Sequence, residues 1–373
     1  MNAEHFQVLE KICRETIAAN AVAVDRDGTF PEKSIDALAA SGFLGAMSAT
    51  AVGGLGLGLP EAAEIVGRVA EECGSSAMVL CMHYCAAAVL EAHATEPVRR
   101  AAASGDKLAT LAFSETGSRS HFWAPVGTAV SDSGTVVLNA QKSWATSASR
   151  AKLYVWSSKP LQSEGASSIW LVPTDSSGIT VQGPFAGLGL RGNDSSPVTA
   201  TNVRVPKKAL LGEDGGGFGI MMSVVLPVFN VLNAACSVGL MEAATRKTAA
   251  HTAEIRHSDT GAALAELPTI RNYIARMRIK TDTTRTLLND TLAAMAANRA
   301  DTMLRVLECK AAAGEAAGEV LDLAMRVCGG AAYRKDLAIE RYFRDARAAG
   351  VMAPTTDVLY DFIGKAVCGL PLF

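Results

Sequence analysis

The chain has 373 residues, a net charge of −2 at neutral pH and a mean hydropathy of +0.19. A pI near 6.3 with no basic tract argues against nucleic acid or an anionic membrane as partner, and the length allows two or three domains around a large core. The charged, amphipathic start is not a signal peptide, there is no unbroken run of about 18 apolar residues, and the eight cysteines lack C-x-x-C pairs. The expectation is therefore a cytoplasmic protein with reduced thiols and no metal site, acting on a small molecule.

Apolar positions at Phe6, Leu9, Ile12, Ile17 and Ala21 predict a helix over 5–25, and a short second one over 34–41 closes at Gly42. A glycine-rich loop runs from Val52 to Pro60; with no strand–turn–helix predicted around it, it is a weak phosphate cradle. Helices follow over 61–73 and 75–93, the second apolar nearly all round and so expected deep in the body. His83 sits in its middle, either as a hydrogen-bonded core histidine or as a titratable group on a cavity wall.

At Lys107 the period switches from helical to two, with strands expected over 107–113, 126–130, 134–141, 153–157, 168–172, 179–182 and 198–205. Helical periodicity returns at Ile220, with long helices over 221–250, 267–297 and 301–328 and a last one over 356–366. The fold class is α+β: an N-terminal helical domain (1–106), a middle β-barrel or sandwich domain (107–215) and a C-terminal four-helix bundle (216–373).

Two runs in the middle domain carry chemistry: Ser114-Glu115-Thr116-Gly117-Ser118-Arg119-Ser120, and the strand end Asn139-Ala140-Gln141-Lys142-Ser143-Trp144-Ala145-Thr146-Ser147. A strand opening into small residues brings backbone N–H groups and hydroxyls close to a ligand. An indole two residues from a hydroxyl gives a flat wall and a donor on one side of an extended segment. The same residues also fit a β-hairpin core with Trp144 buried for packing.

These runs resemble the flavin-binding β-domain of acyl-CoA dehydrogenases, T-E-P-G-x-G-S-D followed by N-G-x-K-x-W-I-T-N. The resemblance implies FAD, with Ser114, Trp144, Thr146 and Ser147 at the flavin and Ser120 and His121 toward a thioester substrate. Val327-Cys328-Gly329-Gly330 through Glu340-Arg341-Tyr342-Phe343-Arg344-Asp345-Ala346-Arg347 resembles that family's L-G-G-x-G-Y…E-R-x-Y-R-D-A-R run. It implies that Gly329 and Gly330 meet the flavin diphosphate of a neighbouring subunit, in a homodimer or homotetramer, and adds Thr355 to the cofactor set. The family's R-x-x-F-G motif is missing, and Arg326 is the candidate replacement cation. The charges from Asp336 to Arg347 are too dense to bury unpaired and read as an ion-pair network.

Family members then usually read I-x-E-G-T, the glutamate taking the α-proton of the thioester. Here the run is Val351-Met352-Ala353-Pro354-Thr355, so the base position is Ala353; the other position used by relatives is Phe229. Candidate substitutes for the base are His83, His121 and Asp357. The implied activity is FAD-dependent oxidation of the CH–CH group of an acyl-CoA or acyl-carrier thioester. The alternatives are a monooxygenase using reduced flavin and O2, an elimination or desulfination on a thioester, and a non-catalytic subunit.

Overall fold

The computed structural model describes residues 1–118 and 121–373. The first helical block comprises α1 (Ala3–Ile12), a π-helical turn (Cys13–Ile17), α2 (Ala18–Asp27), α3 (Glu32–Ala40), α4 (Leu59–Glu72), α5 (Gly74–His93) and α6 (Glu96–Ala103). The single helix expected over 5–25 is thus one continuous rod with a π turn in it. The capping side chain of Asn2 accepts the His5 N–H at one end, and Gly28 at φ +63° stops it at the other. The glycine-rich loop is structural: a Cβ on Gly54 would lie 2.2 Å from the Ser48 carbonyl.

The strands are β1 (Ala109–Ala112), β2 (Thr128–Asp132), β3 (Thr135–Ala145), β4 (Leu153–Ser158), β5 (Ser168–Pro173), β6 (Ile179–Val181), β7 (Ser196–Pro206) and β8 (Leu210–Leu211). They form two four-stranded sheets in the orders β1-β4-β5-β8 and β2-β3-β7-β6. All pairs are antiparallel except β1 with β4. Val136, Leu138, Trp156, Trp170 and Val203 fill the space between the sheets. β1 and β4 turn Leu111, Leu153 and Val155 the other way, into the helical core.

The second helical block holds α7 (Gly217–Ile220), a π turn (Met221–Val225), α8 (Leu226–Glu254), α9 (Pro268–Ala296), α10 (Thr302–Cys328), α11 (Ile339–Ala346), α12 (Ala348–Val351) and α13 (Thr356–Val367). Pro268 opens α9 at a position whose N–H needs no partner, whereas Pro227 follows the π turn inside the continuous rod from α7 through α8. By length and composition α5 and the rod from α7 through α8 could cross a membrane, yet both are mostly buried within the protein and serve as its central core helices. Helix gives way to strand between Ala103 and Ala109 and returns between Leu211 and Gly217.

The dense charges of the last motif act as anticipated. Arg344 pairs with Asp25 at 2.6 Å and Glu340 at 2.7 Å, and the Leu190 N–H donates to Asp345 at 2.6 Å, so α11 pins α2 and the β6–β7 loop together.

Candidate functional site

β3 ends in an irregularity: its register to β7 shifts between Lys142 and Ala145. Lys142 and Ala145 point inward, while Trp144 is left 60 % exposed. The packing reading of Trp144 is therefore overturned: its indole opens onto a cavity of about 600 Å³. Ser114 and Thr146 join it there from the strand side; Met82, Phe229 and Ala353 line the same cavity from α5, α8 and the segment after α12. The Thr146 hydroxyl lies 3.1 Å from that of Ser195.

Beneath this wall lies a buried ion pair. Lys142 Nζ sits 2.5 Å from Glu115 Oε1 and also donates to the carbonyl and hydroxyl of Ser157 at 2.7 and 2.9 Å. The N–H groups of Val126 and Gly127 donate to Glu115 Oε2, each at 2.7 Å. Burial, opposed by the Glu115 charge, lowers Lys142 to about 8. Glu115 is the one carboxylate among the described lining residues, and both its oxygens are spent on these bonds.

Phe229 and Ala353, the two positions without a carboxylate, meet in this cavity. The proposed substitutes do not. His83 is fully buried, accepts the Ala109 N–H on Nδ1 at 3.1 Å, and burial lowers it to about 4. It is a neutral strut between α5 and β1; its neighbour Met82 is what reaches the cavity. Asp357 is exposed on the first turn of α13 and lines no part of the cavity.

The other candidates scatter. Ser147 is buried at φ +58°, its N–H bonded to the Asn193 carbonyl, one step behind Thr146. Thr355 caps α13, accepting the Val358 N–H. Arg326 is exposed and stacks on Tyr273, donating to its hydroxyl at 3.1 Å. Gly329, at φ +53°, and Gly330 are exposed, with nothing within 4 Å of a Cβ added to either. His121 stacks on Trp123 at 4.8 Å, and Ser120 lies outside the described residues.

The β6–β7 loop went unread. Its Phe185 meets Trp144 edge-on at 6.1 Å, and Asn193 and Ser195 complete the strand side of the cavity. The signal was there: Gly183, Gly187 and Gly189 break strand periodicity between two strands, which marks a shaped loop.

Comparison with known proteins covers almost the whole chain. Residues 4–105, 110–203 and 215–368 match the N-terminal, middle and C-terminal domains of acyl-CoA dehydrogenases. The human mitochondrial short-chain specific acyl-CoA dehydrogenase is 28% identical over 367 residues, covering 95% of this chain and 88% of that protein. The acryloyl-CoA reductase (NADH) of Anaerotignum propionicum is 28% identical over 373 residues, 97% of this chain and 94% of its own length. Butyryl-CoA dehydrogenase from Megasphaera elsdenii superposes with a TM-score of 0.92 at 20% identity, over 98% of this chain and 97% of that one. With three domains in family order and a cavity at their junction, the chain belongs to the acyl-CoA dehydrogenase family of flavin-dependent oxidoreductases.

Proposed function

We propose that the chain binds FAD in the cavity beside Trp144 and oxidises the CH–CH group of an acyl thioester, carried on CoA or a carrier protein. The observation that carries this is one cavity with a flat exposed indole on the strand side and an uncharged wall, Phe229 and Ala353, on the helical side. The residues fit an isoalloxazine: Trp144 offers a face, and Thr146 and Ser114 offer hydroxyls on the strand side of the cavity. Relatives named for acyl-CoA substrates support the thioester.

The bound flavin would supply a two-electron acceptor. The chain's own part is to stack it on Trp144, hold its edge with Thr146 and Ser114, and shut water out of an acyl pocket formed by Met82, Phe113, Phe122 and Leu226. No side chain of the described lining is free to take the α-proton, so turnover is slow unless the substrate is itself acidic at that carbon. The exposed Gly329, Gly330 and Arg326 fit contact with a second copy, as a homodimer or homotetramer in the cytoplasm.

A second reading, monooxygenation by reduced flavin and O2, is favoured by the same missing carboxylate. Anaerobic mixing of FAD-loaded protein with butyryl-CoA separates them. Bleaching of the flavin supports oxidation. No bleaching, with oxygen incorporated into a thioester once the reduced protein meets O2, supports the second reading. Neither outcome in a flavin-loaded protein rejects both.

A further inference from the structure

Lys310 on α10 is 1 % exposed, and no carboxylate bonds it among the described residues. An ammonium has three donors, and here all three go to one short stretch of backbone. Nζ donates to the carbonyls of Ala349 at 3.0 Å, Met352 at 3.1 Å and Pro354 at 2.8 Å. It also lies 5.8 Å from the centre of the Phe229 ring. From α8, the Asn233 amide reaches Met352 Sδ at 3.4 Å.

The stretch so held is the helical wall of the cavity, since Val351, Met352 and Ala353 all line it, as does Phe229. Three carbonyl oxygens converging on one point repel one another unless a cation sits between them, and without it they are buried and unpaired. The shape of this wall therefore depends on a charge that touches neither the cavity nor its contents.

We propose that Lys310 is a positioning residue: its ammonium holds residues 349–354 so that Met352 and Ala353 stand beside Phe229 as one wall, and losing that charge releases the wall. The consequence for substrate rests on the functional reading above; the clamp itself does not.

Burial lowers Lys310 to about 7. The titratable groups that face it are Cys309 on its own helix and Cys81 on α5. Burial pushes Cys309 up to about 12, and a hydrogen bond with Cys85 together with burial holds Cys81 well above its ordinary value, so neither supplies an anion. α8 contributes Phe229, Asn230 and Asn233, none of them ionisable, and Asp357 of α13 is exposed. The clamp is thus charged near pH 6 and neutral near pH 8.5. A neutral amine keeps two donors and turns a lone pair toward the third carbonyl.

Hydrogen exchange on the full, ligand-free chain tests this, corrected for the intrinsic effect of pH. In the native sequence, amides of residues 349–353 should exchange about 10-fold faster at pH 8.5 than at pH 6, with α9 unchanged. In Lys310→Met they should be fast at both pH values. Equal protection at the two pH values in the native protein, or unchanged protection in a folded Lys310→Met, overturns the proposal. If Lys310→Met does not fold, the native pH comparison decides alone. Because exchange is read without flavin or thioester, failure of the functional reading appears separately, as a native protein that binds no FAD.

Discussion

Lys142 Nζ lies 2.5 Å from Glu115 Oε1, with both side chains fully buried behind the strand-side wall of the cavity. The pair joins β3, which presents Trp144, to the loop that carries Ser114. Removing one partner leaves the other charge buried and unpaired, which typically costs about 3–5 kcal/mol. Lys142→Met should therefore lose stability of that order in urea unfolding and weaken FAD binding, because Ser114 loses its anchor. A variant with unchanged unfolding midpoint would contradict this.

Trp144 behaves in the opposite way. Its exposure means Trp144→Ala should shift unfolding free energy by only about 0.5 kcal/mol. Calorimetric titration with FAD should nevertheless show affinity at least about tenfold weaker, as expected when a ring's stacking partner is lost.

Ala353→Glu puts a carboxylate at the cavity wall. Anaerobic bleaching of FAD-loaded protein by butyryl-CoA, followed by stopped-flow absorbance, should accelerate by about 10²-fold, within the usual worth of a general base. An unchanged rate would mean that the proton is not what limits the reaction.

His83→Leu separates strut from catalyst. Loss of the bond to the Ala109 N–H should destabilise the fold by about 1–3 kcal/mol, since a buried donor is orphaned, while the bleaching rate per bound flavin stays within about twofold of the native rate. A bleaching rate that collapses in a stable variant would return His83 to the chemistry.

Asp345 gives a pH dependence of stability. Burial raises its carboxyl from 3.8 to about 7, against the pull of the Leu190 N–H and Arg341. Between those values the folded chain holds one more proton than the unfolded chain, so this group's contribution is full below pH 3.8 and is lost as pH rises through 7. Asp345→Asn, which mimics the protonated form, should match the native protein near pH 3 and exceed it by a margin that widens as pH rises from 4 to 7, reaching about 4 kcal/mol near pH 8. A difference that does not vary with pH would refute the assignment.

Much of this architecture is legible in the sequence. The switch of period from helix to strand and back shows the helical, strand and helical blocks, and the family resemblance implies one site for Ser114, Trp144 and Thr146, which line one cavity. The misses have physical causes. α6 and α11 are eight residues each and lean on partners elsewhere in the chain, α6 on Glu91 and the Ala51 carbonyl, α11 on Asp25 and the Glu72 carbonyl, which no local pattern reveals. His83 was ambiguous because helical period gives a face, not what lies against it; only the fold shows the Ala109 N–H there. The role of Lys310 is not legible in the sequence because a lone lysine on an amphipathic helix ordinarily faces water. Its three carbonyl partners lie about 40 positions downstream.

The most direct measurement of the central claim is an FAD titration of the purified chain followed by tryptophan fluorescence, comparing the native sequence with Trp144→Phe. Trp123, Trp156 and Trp170 are buried and Trp144 is open to the cavity, so saturable quenching should occur in the native protein and be largely lost in the variant. Absence of saturable quenching, or quenching unaltered by Trp144→Phe, would contradict a flavin stacked on that indole.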